Sequence, residues 1–266
     1  PGLLKAETSE ARGIGFVWEP QFMDLSVAVD YFEIEVSDEV STLGPAAIVF
    51  LCYTSDTHAT DPLCSLFTRG GNGGDGFLLN QINDSYLNVN SQTNRGIDLT
   101  VSYNHEFPWG DLTVLSQVTY QLEDTIAFFA GNGTDSNGDN GDPQFVGNVN
   151  FRLDRDDWTF NWGMNIIGPS SDDDDVVTSA PAGALSGNPA RLFDVDAETT
   201  VYHSVSVRRR FDDWAILAGI ANLSGEEPPG VTSVGAAQQT LFGSSLAASQ
   251  YDYIGRRAFV RQSRSF

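Results

Sequence analysis

Basic residues are scarce in this 266-residue chain: 14 Lys and Arg stand against 36 Asp and Glu, a formal net charge of -22 at pH 7. That balance excludes nucleic acid as a natural partner, because sites for it need basic surface to neutralise phosphates. An acid excess suits a halophilic or secreted soluble protein as well, so charge alone names no class. Long apolar runs are also missing. The longest, Pro45 to Tyr53, is about half of the ~18 residues that would mark a transmembrane helix. A membrane protein made from this sequence must therefore cross with strands, whose alternating faces keep mean hydropathy low. Cysteine is limited to Cys52 and Cys64. In an oxidising compartment the two would pair within one loop, and in a reducing one they would stay free thiols. With His58 between them they still offer too few ligands for a structural metal. No Met or signal segment opens the chain at Pro1, so an exported protein of this sequence is expected to be a processed form or a fragment.

Catalytic constellations are missing too. His58, His105 and His203 fall in a long loop, near a short turn and near a strand end. None is close in this topology to a plausible catalytic Ser or paired-carboxylate partner, and no enzyme is expected. The run Asp135 to Asp142 offers oxygens at alternate positions, as calcium loops do. Its glycines are misplaced for an EF-hand and the closing Glu is absent. Together with Asp172 to Asp175 it reads as solvated loop, with weak Ca2+ binding as the alternative and no other cofactor expected.

What the chain does have is alternation. Trp158, Phe160, Trp162, Met164 and Ile166 interleave with Thr159, Asn161, Gly163 and Asn165. Leu112 to Leu122, Phe145 to Leu153, Val201 to Phe211 and Ile97 to Tyr103 repeat the pattern. Such spacing gathers apolar residues on one face of a strand and scatters them around a helix. Nine strands are expected: 9–18, 25–36, 78–104 (with a bulge near Asn94 to Gly96), 112–123, 144–153, 158–167, 200–211, 214–222 and 251–266. Short connections (Glu19 to Asp24, Glu106 to Asp111, Asp154 to Asp157, Asp212 to Asp213) alternate with long ones at 37–77, 124–143, 168–199 and 223–250. Outer-membrane barrels keep tight turns at the periplasmic end and long loops outside. Trp18, Trp109, Trp158 and Trp214 fall beside the short turns, as an aromatic girdle at a membrane interface requires. The fold class expected is an all-β, antiparallel transmembrane β-barrel segment. Nine strands cannot close a single-chain barrel of even count, and an open sheet in lipid leaves unpaired backbone edges. Either the strand count is off by one, or a large N-terminal part is absent.

Several stretches resemble the TonB-dependent receptors. Leu4-Lys5-Ala6-Glu7-Thr8-Ser9, followed by Gly13, is similar to that family's LKPETS…G stretch, with Ala6 in place of proline. Asp24 to Phe32 resembles its upward strand before a long loop, and Arg95-Gly96-Ile97-Asp98-Leu99 its RGIDL strand. Asn222-Leu223-Ser224-Gly225-Glu226-Glu227-Pro228-Pro229, then Tyr251 to Arg257 and on to Phe266, is similar to its NLFDEEPP…YDxxGRxF tail.

The resemblance implies that residues 1–266 are the C-terminal portion of a plugged barrel of about 22 strands, without the plug domain and first strands. It implies import of a scarce nutrient, of the siderophore, cobalamin, haem or oligosaccharide class. The energy would come from the TonB–ExbB–ExbD complex, contacted through the missing N-terminal part. Further expected partners are outer-membrane lipid and the barrel-assembly machinery, which would read the terminal Phe266. The expected location is the bacterial outer membrane, with the C-terminus periplasmic and Cys52–Cys64 oxidised. Gln262 and Arg264 depart from the tail, standing where lipid-facing residues are expected; Arg264 can snorkel. Arg152, Arg208 and Arg210 would face the lumen and contact the plug. The alternative from another class is a β-rich structural or adhesive module, self-assembling through its sheet edges.

Overall fold

The computed structural model describes residues 4–55, 60–70, 78–88, 91–129, 132–172, 195–231 and 248–264, with 234–235, 238–239 and 244–246 between the last two. Nine long strands carry the fold: β1 Thr8–Trp18, β2 Asp24–Ser37, β3 Ser91–Phe107, β4 Gly110–Phe129, β5 Phe145–Arg155, β6 Trp158–Ile167, β7 Thr200–Arg210, β8 Trp214–Ala221 and β9 Arg257–Arg264. Neighbours in sequence are neighbours in the sheet, and the path is open, with β1 and β9 at its ends. A short strand, Asn132–Asp135, also pairs with β4. From β4 to β9 every pairing is antiparallel.

The turns at one end are as tight as the sequence implies. Pro108 and Trp109 separate β3 from β4, and Asp156 and Asp157 separate β5 from β6. Asp156 takes a φ of 51, a left-handed conformation that Asp tolerates and that tight hairpins require. Around the expected bulge, Gly96 serves close packing: an added Cβ would stand 2.7 Å from the Phe32 ring and 2.8 Å from the Tyr120 carbonyl oxygen.

Three strand boundaries differ most from expectation, one of them the end of β4, which runs on from 123 to Phe129. The third strand does not start at 78: Leu79–Ile82 pairs with Phe67–Arg69, and Leu87–Asn88 pairs with Val40–Ser41. The polar run Asn83-Asp84-Ser85 interrupts the extended chain, and Asp84 Oδ1 accepts from the Gly44 N–H, a long-range bond that ties the run away from the third strand. The last strand starts at Arg257 instead of 251, because Gly255 adopts a φ of 77 and Asp252 turns the chain by accepting from the Ile254 N–H.

The described residues group into two compact units, one drawn from within 1–10, 35–93 and 126–134, the other from within 11–34, 94–125 and 135–266. In the first, the stretch read as loop contains a helix, α1 Pro45–Thr54, and a 3-10 turn at Pro62–Leu66. Pro45 opens α1, where its missing N–H costs nothing. Asp61 accepts from the Leu63 N–H to start the turn. Leu43, Ile48, Cys52 and Leu63 form the buried core here. In the second unit the buried cluster is Ile167, Ala197, Tyr202, Val231, Leu246 and Tyr251. Most members of both clusters come from the long connections, not from the sheet. No helix among the described residues is long and apolar enough to cross a membrane.

Candidate functional site

The sheet from β5 to β9 has two chemically opposite faces. Registered rows on one read Phe151, Trp162, Val205, Ile220, Ala258 and, one step towards the short turns, Leu153, Phe160, Val207, Ala218, Val260. Rows on the other read Asn148, Asn165, Tyr202 and Arg152, Asn161, Ser206. The apolar face is not covered by protein: Phe160 is 43% exposed and Val260 76%. A contiguous uncovered apolar surface of this kind marks a binding surface for another apolar phase. The polar face bounds a concavity of about 590 Å3 whose lining includes Asp98, Thr119, Asn148, Asn165 and Gln250. Thr119 donates to Asp98 at 2.6 Å across β3 and β4, and Arg95 pairs with Glu123 at 2.6 Å. The two faces thus define a wall between an apolar and an aqueous phase.

The short-turn end concentrates tryptophan and arginine. Trp18 ends β1, Trp109 lies in a turn, and Trp158 and Trp214 open β6 and β8. Trp109 stacks on Phe107 at 4.8 Å and Trp214 on Phe211 at 4.0 Å. On the polar face Arg152 holds Asp154, Nε to Oδ2 at 2.7 Å, and the Thr159 hydroxyl donates to the same carboxylate at 2.6 Å. Arg208 and Arg210 also lie on this face, exposed, with no carboxylate at ion-pair distance among the described residues. The run Arg208-Arg209-Arg210 hides a third arginine that the sequence reading passed over. Period two turns Arg209 to the apolar face, where its guanidinium lies 4.9 Å from the centroids of both Trp158 and Phe211.

At the opposite end the long connections are tied down by the residues that carry the family-like tail. Buried Asn222 accepts from the Glu226 N–H at 2.8 Å and donates to the Glu226 carbonyl at 2.7 Å. Arg256 donates to the Ser224 carbonyl at 2.7 Å, and Arg257 grips Asp252 at 2.8 and 2.9 Å. Burial would raise the Asp252 carboxyl, but the Arg257 and Ile254 hydrogen bonds outweigh it and hold the group below its ordinary range. These motif residues therefore close loops; they do not form a reaction centre.

Cys52 and Cys64 are joined, with Cα atoms 5.1 Å apart. His105 sits in an aromatic ladder between Tyr103 and Phe107, and His203 accepts from the Trp162 indole at 3.3 Å. Neither is hydrogen-bonded to a Ser or a carboxylate among the described residues. His58, Asp173 to Asp175 and Phe266 lie outside the described residues. In the 135–142 run, Asp135 accepts from the N–H groups of Asp124 and Asn137, and Asp172 from that of Asn140. No group of three or more His, Cys, Asp or Glu is placed to hold a metal among the described residues. Gln262 and Arg264 do stand in the apolar rows, opposite Ile216 and Trp214.

A sheet of this kind, apolar on one face and polar on the other with all tight turns at one end, defines a transmembrane β-barrel wall. The chain belongs to the TonB dependent receptor-like β-barrel family, whose sequence profile matches residues 1–223. That is a family of outer-membrane transport receptors, not of enzymes. Comparison with curated protein sequences finds no match. Among solved structures, the ferric enterobactin receptor PfeA of Pseudomonas aeruginosa (G324V mutant) is similar at 17% identity and a TM-score of 0.60, over 99% of this chain and 32% of that one. The siderophore receptor PirA of Acinetobacter baumannii is similar at 13% identity and 0.55, over 99% and 32%. The ferripyoverdine receptor of the P. aeruginosa outer membrane is similar at 13% and 0.54, over 98% and 27%. The chain spans about a third of the length of these receptors. The tail motif lies beyond the profile match but within the structural ones.

Proposed function

We propose that this chain supplies consecutive C-terminal strands of a receptor barrel that imports a scarce nutrient across the outer membrane, driven by TonB. The observation that carries the reading is the two-faced sheet, an apolar wall backed by a polar concavity, in a chain of the receptor family. Siderophore is the favoured ligand class, because the similar solved structures are siderophore receptors by name. In this reading Trp18, Trp109, Trp158 and Trp214 form the periplasmic girdle and the C-terminus is periplasmic. Arg152, Arg208 and Arg210 face the lumen at that end and take acidic groups of the plug. Phe266 is the signal read by the barrel-assembly machinery. The Cys52–Cys64 pair staples its loop. The acidic loops are solvated, and any Ca2+ they take is held weakly.

Uptake of ferric siderophores by the source bacterium tests this, with and without the intact protein and with TonB removed. Loss of one siderophore's uptake in both deletions is the expected result. Uptake unchanged by loss of the protein, or lost with the protein but retained without TonB, overturns the reading. Mass spectrometry of the protein from native outer membranes tests the barrel assignment separately. A species several times heavier than 28.9 kDa with a plug-like N-terminus is expected. A mature species of that mass overturns the assignment and favours the self-assembling module.

A further inference from the structure

On the outward parity of β5 to β9 there is no Asp or Glu, in a chain holding 36 of them. The charged side chains there, histidine apart, are Arg155, Arg209 and Arg264, all at the short-turn end. Arg155 and Arg209 flank Trp158 in one registered row. Of the acids in the adjoining turns, Asp213 lies 3.1 Å from Arg264 and Asp156 3.9 Å from Arg155. Arg209 is left with two aromatic faces and no carboxylate at ion-pair distance among the described residues. Stacking fixes the guanidinium plane but leaves its N–H donors unmatched, and a planar fork of donors matches phosphate.

We propose that this corner is a binding site for an anionic phospholipid headgroup, with Arg209 and Arg155 holding the phosphodiester beside the Trp158 indole. Three features select this ligand. The tryptophans mark the depth at which headgroups lie. The apolar rows beginning at Phe160 and Val207 give acyl chains a continuous surface. No acid on this face can pair with the ammonium of a zwitterionic headgroup, and the Trp158 ring that would otherwise attract one is taken by Arg209. Membrane proteins bind anionic headgroups through basic pockets of this kind. The site rests on the reading of this face as lipid-facing.

Native mass spectrometry of the intact receptor, titrated with phosphatidylglycerol or phosphatidylcholine, tests both. The expected result is retention of phosphatidylglycerol in preference to phosphatidylcholine, reduced roughly fivefold in Arg209→Gln, the weight of one cation at an anionic surface. Arg208→Gln, one residue away but on the polar face, keeps the parent's retention. Arg155→Gln, at a side chain 61% exposed, lowers retention as well and serves as the readout if Arg209→Gln does not fold. Parent-like retention in both Arg155→Gln and Arg209→Gln overturns the site while leaving the lipid-facing reading intact. Equal loss in Arg208→Gln does the same. Full displacement of the lipid by inorganic phosphate overturns the lipid assignment in favour of a free-phosphate site. An intact receptor that retains neither phospholipid overturns the lipid-facing reading itself.

Discussion

The stretch from Leu43 to Phe67 and the sheet from β5 to β9 solve the same problem in opposite ways. Leu43 to Phe67 builds a small core: Ile48 is 0% exposed and Cys52 1%, and the disulfide closes the packing, while Phe50 and Tyr53 stay outside it. The sheet buries no such core on its apolar face, where Phe160, Trp162 and Val260 are exposed. In water the first arrangement is stabilised by burial at about 25 cal/mol per Å2, and the second would forgo that gain. On the proposed reading, two solvents shaped one chain: segments exposed to water build small internal cores, whereas the wall is stabilised when lipid covers it. Apolar residues are therefore no guide to the protein interior here; their period is.

The largest expected effect separates the two faces of a single strand. Val205→Arg places a cation at the middle of the apolar row formed with Trp162 and Ile220, and should cost about 2–4 kcal/mol of stability in vesicles. Ser204→Arg, one residue earlier on the polar face, should cost under about 0.5 kcal/mol. Equilibrium unfolding of the intact receptor from lipid vesicles measures both, and equal costs would break the comparison.

Next comes the staple. Replacing both Cys52 and Cys64 by Ser should remove about 3 kcal/mol of local stability from the loop unit, on the chain-entropy account. The two cysteines are 12 residues apart, so the loss should stay local. Hydrogen exchange should rise at Ile48 and Leu63 and stay unchanged at Phe160 and Val205. A matching rise in the sheet would mean that the loop unit and the wall unfold together.

Strand number, face assignment and the clustering of tight turns were all legible in the sequence, because each follows from period two and from turn residues such as Asp156 and Asp157. Boundaries were less legible. The extended run from 78 to 104 looks continuous, yet the Asp84 bond to the Gly44 N–H is long-range and leaves no local mark. The helix α1 was hidden for a related reason: Pro45 to Tyr53 is apolar all round and carries no amphipathic stripe to declare it. At the candidate site, Arg152, Arg208 and Arg210 were identified because they alternate with apolar residues. The same alternation sends Arg209 to the other face, where an arginine interrupts the apolar pattern and so leaves no signal of its own.

A smaller effect is expected for the exposed pair Asp213 and Arg264, whose side chains are both more than half exposed. Asp213→Ala should change stability by about 0–1 kcal/mol, and less at high salt. The same unfolding measurement at low and high ionic strength checks this. A larger, salt-insensitive loss would place the pair in a low-dielectric layer and so locate the membrane boundary closer to the turns.

The smallest effect concerns pH and a loop outside the strands. Asp142 has its carboxyl pushed above the ordinary range, first by burial and then by the nearby Asp124 charge. Its backbone is engaged on both sides, donating to the Asp139 carbonyl and accepting from the Gly138 N–H, and the residue is partly open to water, which keeps the effect small. A carboxyl whose pKa is higher folded than unfolded contributes stability that is fully present below the unfolded value and lost as pH rises through the folded one. Between neutral pH and the acid range the parent loop should therefore tighten as pH falls. Asp142→Asn, unable to ionise, should hold the tightened level throughout, with a gain at neutral pH and none in acid. Amide exchange at Gly138 and Asp142 across that range reads the difference. A pH dependence that survives the substitution would overturn the assignment to Asp142.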